Sequence, residues 1–255
     1  MEIATDFPLF VFVLSFFVLS LSAMSGASFL RRQRKLDEDK RQDLGVILAA
    51  TLTLLGLIIG FSFSMAMSRY DQRKNYEATE ANAIGTEYAR ADLLPASDAA
   101  KVRALLKDYL DQRVLFYMTS DEQQIRQINA RTAQLQTELW SAVLAPAAAQ
   151  PTPTVTLAVA GMNDVLNSQA YTQAAWWNRI PIEAWLLMAV IAIFCNVLVG
   201  YGARMVKVEG ILLLILPLVV AIAFFLIADI DSPRGGVIHV NPQNLVSLVE
   251  ALPVR

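Results

Sequence analysis

The chain has 255 residues, 55 % hydrophobic and only 17 % charged, with 21 Lys+Arg against 23 Asp+Glu, one His and one Cys. Soluble domains carry about 25 % charged residues, so this chain has too few to coat a water-facing surface. A net charge of −2 lacks the basic excess of a nucleic-acid binder, and one Cys with one His excludes an intramolecular disulfide and the usual Cys/His zinc sites.

The apolar content is gathered into runs. A bilayer core takes roughly 20 apolar residues as helix, and four segments meet that length: about 7–30, 44–67, 182–203 and 210–228. The first is not expected to be a cleaved leader, because Glu2 and Asp6 precede it where a leader needs basic residues. The cluster Arg31, Arg32, Arg34 and Lys35 stops it. Pro181 stands at the first turn of the third span, where its missing N–H costs nothing, and Pro217 lies inside the fourth, where a kink is expected.

Between the second and third spans, residues 68–181 are polar and helical in period, with 11 basic and 12 acidic residues. Val102, Leu105, Leu106, Tyr109 and Leu110 form an apolar stripe at helical spacing, as do Ile125, Ile128, Leu135 and Leu139 after an N-cap at Ser120. The run APAAAQPTP at 145–153 reads as a linker, and Thr154 as the cap of a helix carrying Leu157, Met162, Val165 and Leu166. Trp176, Trp177 and Trp185 fall where an interfacial aromatic belt is expected. The expected architecture is an all-α integral membrane protein. A transmembrane hairpin (1–67) leads into a helical extramembrane region (68–181), followed by a second hairpin (182–228) and a tail (229–255).

Lys and Arg in short loops set orientation. The two loops that join paired spans carry Arg31, Arg32, Arg34, Lys35, Lys40, Arg41, Arg204 and Lys207; the opposite side carries Arg69, Arg73, Lys74, Arg179 and Arg234. Eight against five places the short loops in the cytoplasm and the helical region outside.

The second span holds the candidate functional residues. Gly56, Gly60 and Ser64 recur every four residues, a stripe of small side chains that lets another helix approach closely. Thr53, Leu57 and Phe61 form a second stripe turned roughly 60° from the first, which could equally meet lipid or a neighbouring helix. Asp229 and Asp231 end the fourth span; they read as solvated carboxylates or caps, or as ion ligands, although calcium wants about six to eight oxygens. Asn196 is expected to bond a neighbouring helix, Cys195 to pack, and His239 to lie on the surface. With no P-loop, dinucleotide fingerprint or hydrolase elbow, the chain is not expected to be an enzyme or to hold a cofactor.

The block GFSFSMAMSRYDQRKNYEATEANAIGTEYARADLLP (60–95) and the block IADIDSPRGG (227–236) resemble the bestrophin-like membrane proteins and, more distantly, the bestrophin ion channels. The motif residues are Ser68, Arg69, Tyr70, Asp71, Arg73, Asn82 and Arg90. The resemblance implies a homo-oligomeric channel for inorganic ions, a pentamer, in the cell membrane (the inner membrane in a bacterium). It also implies a hydrophobic neck lined by the second span, which maps onto Thr53, Leu57 and Phe61, and it places the helical region in the cytoplasm, opposite to the charge count. The alternative is a non-conducting sensory or scaffold protein that binds a partner through its helical bundle.

Overall fold

The computed structural model describes residues 7–30, 38–202 and 211–253, and among these every regular element is helical. The stop cluster at 31–35, Arg204 and Lys207 lie outside the described residues, as do Glu2 and Asp6. Helix α1 is Pro8–Ser25, continued by a π-helical turn at Gly26–Leu30. Then come α2 (Glu38–Arg90), a 3₁₀ turn (Ala91–Leu93), α3 (Ala96–Met118), α4 (Glu122–Ala149) and α5 (Pro153–Trp177). After α6 (Ile182–Gly202) and a 3₁₀ turn (Leu212–Leu214), α7 (Ile215–Asp231) and α8 (Gln243–Ala251) complete the chain. Among the described residues four helices are long and apolar enough to cross a membrane. In hydrocarbon no water can satisfy the backbone, so each apolar run closes its hydrogen bonds on itself as helix.

The chain divides into two compact units, Met1–Tyr70 with Arg179–His239 and Asp71–Asn178 with Val240–Arg255. In the first, Leu19, Leu55, Ala66, Met188, Ala192, Cys195, Val220, Phe224, Ile227 and Ile230 form the core. Helix α1, with its π-helical continuation, crosses α6 closely. A Cβ on Gly26 would land on the Val197 carbonyl oxygen, and one on Gly200 would land on the Ala23 carbonyl oxygen and lie 2.9 Å from the Ala27 nitrogen. Only hydrogen fits between these backbones. Pro217 sits in the first turn of α7, which begins at Ile215, where N–H groups have no intrahelical acceptor. The winding changes from 3₁₀ to α just before it.

The second unit holds α3, α4, α5, α8 and residues 71–90 of α2. Val102, Leu106, Tyr109 and Leu110 are buried, as their spacing predicts, and so are Ile128, Leu135 and Leu139. The expected boundaries shift in three places. The cap of α4 is Asp121, whose Oδ1 accepts the Gln124 N–H at 2.7 Å, because its carboxylate outcompetes the Ser120 hydroxyl one residue earlier. The linker shrinks to 150–152: alanines on both sides of Pro146 carry α4 through to Ala149, and the ring itself is buried. The cap of α5 is Thr152, not Thr154, since Pro153 takes the first helical position. That shift turns Leu157 outward and buries Val155, Ala158 and Met162. Trp176 is also no belt residue; it is buried with Phe116 and Tyr117, ring centroids 5.0 and 5.4 Å away, while Trp177 is exposed. The C-terminal residues 229–255 are more than a tail. Residues 240–253 belong to the second unit, and the Leu245 N–H and the Asn244 amide, in the first turn of α8, both donate to Glu77.

Candidate functional site: the open face of the second span

Residues 44–67 form part of α2, and the helix packs into its own unit along one side only. Leu55, Ser62 and Ala66 are buried there, flanked by the half-buried Leu52, Ile58, Ile59 and Met67. The opposite side carries Thr53, Gly56, Leu57, Gly60, Phe61 and Ser64, all exposed, with Leu57 at 53 % and Phe61 at 63 %. The two stripes expected from spacing therefore share one open face. A Cβ built on Gly56 or Gly60 meets nothing within 4 Å, so among the described residues of one chain no helix packs on these glycines. The close glycine contact inside the chain is the Gly26/Gly200 crossing, which the four-residue spacing of the second span does not reveal. The Thr53 hydroxyl donates to the Ala49 carbonyl at 2.9 Å, so a polar residue on an apolar helix spends its donor on its own backbone.

The two motif blocks meet in space. Arg69 Nη1 lies 3.7 Å from Asp231 Oδ1, and both oxygens of Asp231 accept the Ile180 N–H, at 3.2 and 3.1 Å. Asp229 accepts the N–H groups of Val237 (2.8 Å) and Ile238 (2.9 Å), and the Ser232 hydroxyl oxygen accepts that of Gly235 (2.9 Å). A Cβ at Gly236 would come 2.6 Å from Asp229 Oδ1, which is why the turn has glycine there. Of the two expected roles, solvated carboxylate or cap, burial rules out the first: Asp229 and Asp231 accept backbone N–H groups and anchor the chain after α7, and the chain before α6, onto the end of α7. Among the described residues no group of three or more His, Cys, Asp or Glu is placed to hold a metal.

The other motif residues scatter. Ser68, Asp71 and Asn82 are exposed, Tyr70 packs partly buried against the membrane core, Arg73 is buried, and Arg90 lies 4.0 Å from Asp164. Asn196 bonds its own helix, Nδ2 donating to the Ala192 carbonyl at 2.8 Å, because α6 offers an acceptor one turn back. Cys195 is buried and His239 exposed.

A set of buried residues, of which the motif had singled out only Arg73, lies on residues 71–91. Arg73, Glu77, Glu80, Ile84, Glu87 and Ala91 succeed one another at intervals of four and three, and every one is buried. Glu80 and Arg113 are both 0 % exposed; Arg113 donates Nε and Nη2 to the Glu80 carboxylate, and the Thr172 hydroxyl donates to Glu80 Oε2 at 3.1 Å. Arg113 also stacks over Phe116, 4.4 Å from the ring centroid. Burial works against the Arg113 charge, but the Glu80 carboxylate more than offsets it and holds the guanidinium firmly protonated. The available signal was periodicity: Arg113 continues the apolar stripe from Val102 to Tyr109, and Glu77, Glu80 and Glu87 recur at intervals of three and seven.

The fold is that of an all-α membrane protein with paired spans flanking a helical bundle, and its family follows from comparison. The bestrophin-like domain matches residues 13–245. The chain belongs to the bestrophin-like family, membrane proteins of channel type. It shares its fold with a bacterial bestrophin homologue from Klebsiella pneumoniae: TM-score 0.64 at 14 % identity, covering 96 % of this chain and 99 % of that one. A point mutant of that homologue aligns with TM-score 0.62 at 14 % identity over 95 % and 98 % of the two chains. A point variant described as a membrane protein gives 0.57 at 15 % identity, over 95 % and 98 %. No curated protein matches the chain.

Proposed function

We propose that this chain is one subunit of a homo-oligomeric ion channel, a pentamer by family resemblance, whose neck is lined by Thr53, Leu57 and Phe61 of α2. The observation that carries this reading is the composition of the open face of the second span. A helix side turned only to lipid gains nothing from threonine, two glycines and serine, whereas a side turned to other copies and to a water path uses all of them. Gly56, Gly60 and Ser64 are the places where a neighbouring copy can come close, and Leu57 and Phe61 are the apolar rings. A hydrophobic constriction gates by dewetting and does not by itself choose the sign of the ion. In this reading 1–67 and 182–228 form the conducting part, 68–181 is the extramembrane part, and Asp229 and Asp231 secure the chain around the end of α7 within the membrane unit. Permeant ions and lipid are the partners, with no cofactor and no catalysis.

The basic residues favour the helical region outside a multi-pass cell-membrane protein, and the family resemblance favours it in the cytoplasm. Recording from planar bilayers tests the channel. Replacing Leu57 and Phe61 by alanine widens the neck and lowers the dewetting barrier, so current rises or gating is lost. Silent wild type and silent variant, both folded and assembled, would instead support a scaffold that binds a partner through its bundle.

A further inference from the structure

Glu87 has no place in the reading above, and it is the least accommodated carboxylate in the second unit. It is 0 % exposed, and neither of its carboxylate oxygens has a hydrogen-bond partner. Its neighbours on the buried face of α2 are provided for: Glu80 has Arg113 and Thr172, and Glu77 has the first turn of α8. Opposite Glu87, α5 presents Gly161, and a Cβ there would fall on Glu87 Oε2 and 2.5 Å from Arg90 Nη1. The helices are therefore as close at this point as the carboxyl allows. An unpartnered charge in such a place is strongly disfavoured, and a neutral carboxyl is the form that fits.

The charged surroundings are few. On its own helix, one turn on, Arg90 points Nη1 towards Asp164 of α5, 4.0 Å away. Asp164 is the sole charge on α5. From α3, Arg103 is held by Asp92 (2.5 Å) and the Tyr88 carbonyl (3.3 Å), and Lys107 stands 5.9 Å from the Tyr88 ring centroid. On α8, which touches α2 through Leu248 against Gly85, Glu250 is exposed. Arg90 is thus the cation within reach of Glu87, and Asp164 competes for it.

We propose that Glu87, Arg90 and Asp164 form a proton-operated latch between α2 and α5. With Glu87 protonated, Gly161 closes on the neutral carboxyl and Arg90 faces Asp164. When Glu87 loses its proton, the carboxylate draws Arg90 inward, away from Asp164, and the α2–α5 contact at Gly161 opens to admit water. Burial pushes the Glu87 carboxyl up to about 8, with Arg90 lowering it and Asp164 raising it, which puts the transition at the alkaline edge of the physiological range. The sign follows from proton linkage. Between the ordinary value of 4.5 and about 8 the unfolded chain has released this proton and the folded one keeps it, so stability falls as pH rises through that window.

The test uses the purified full-length protein in detergent. Wild type should lose thermal stability progressively from about pH 5 to 8, and Glu87→Gln, a neutral carboxyl mimic, should lack that part of the slope. Hydrogen exchange corrected for intrinsic rate should rise about tenfold or more around residues 84–91 and 158–165 between pH 6 and 9 in wild type only. Infrared difference spectra should show a protonated carboxyl band at pH 6 that is missing from Glu87→Gln. Asp164→Asn removes both the competitor for Arg90 and a negative neighbour, so it should move the wild-type midpoint to lower pH. Parallel stability profiles for wild type and Glu87→Gln, or a midpoint unmoved in Asp164→Asn, overturns the latch. If Glu87→Gln fails to fold, the Asp164→Asn midpoint and the infrared band decide alone.

Discussion

Two glycines of the membrane unit look alike in sequence and differ in what surrounds them. A methyl group at Gly200 would fall on the Ala23 carbonyl oxygen and lie 2.9 Å from the Ala27 nitrogen, both backbone atoms that no rotamer change can move aside. Gly200→Ala must therefore push α1 away from α6, loosening the contacts of Leu19 and Cys195 in the core. Overpacking typically costs about 1–3 kcal/mol, and an immovable backbone neighbour puts this case at the upper end, about 3 kcal/mol. For a chain of this size each kcal/mol moves the melting temperature by about 2–4 °C, so a fall of roughly 6–12 °C is expected. Gly60 is the control: a Cβ there meets nothing within 4 Å, and alanine is the better helix former by about 1 kcal/mol, so Gly60→Ala should melt no lower than wild type. Gly60→Leu should leave the single subunit folded yet break its assembly. Thermal unfolding in detergent and native mass spectrometry of the three variants separate these effects. A Gly200→Ala protein as stable as wild type refutes the close-crossing argument, and an unchanged oligomer in Gly60→Leu refutes the open face as a subunit contact.

Asp231→Asn leaves Arg69 without its carboxylate and weakens the acceptor for the Ile180 N–H, so it should cost about 1–3 kcal/mol of stability in thermal unfolding, while Asp231→Glu should recover part of it. Arg113→Met strands the Glu80 charge in a dry interior and should cost about 3–5 kcal/mol in the same assay; adding Glu80→Leu should restore most of that. A cysteine at exposed position 149, in a Cys195→Ser background, should react with an impermeant maleimide on intact spheroplasts if the eight-to-five basic asymmetry sets orientation, and labelling only after lysis reverses it.

The four spans were legible because an apolar run of bilayer length has little choice but helix. The stripes of α3 and α4 were legible for the same kind of reason: their buried faces are apolar, and spacing alone identifies them. Cap positions were less so, since Ser120, Asp121, Thr152 and Thr154 all carry a suitable side chain oxygen and only the backbone decides which is used. The fates of Asp229 and Asp231 were hidden because their partners are backbone N–H groups of Ile180, Val237 and Ile238, which every residue but proline possesses. The buried charges of α2 were hidden for a different reason. Rules of hydrophobic period treat Arg73, Glu77, Glu80 and Glu87 as a solvated face, and the three glutamates are buried through conditions that spacing cannot display: a helix start, a guanidinium, and a glycine on another helix.

Helix α2 nevertheless keeps one angular logic from end to end. Its buried seam runs Leu55, Ser62, Ala66, Arg73, Glu77, Glu80, Ile84, Glu87 and Ala91, in steps of three, four or seven residues, and changes from apolar to charged near residue 70. The opposite face is as regular. From Thr53, Leu57 and Phe61 it continues through Ser64, Ser68, Asp71, Asn75, Thr79, Asn82 and Thr86, again in threes and fours, and all of these are exposed. Beyond Phe61 the row is hydroxyl, amide or carboxylate, with exposed Lys74 five turns on from Gly56 at its edge, and the Thr79 hydroxyl bonds its own helix as that of Thr53 does. On the proposed reading Ser64 and Ser68, which follow Phe61 on this face within the membrane unit, would give a water path hydroxyls just beyond the two apolar rings.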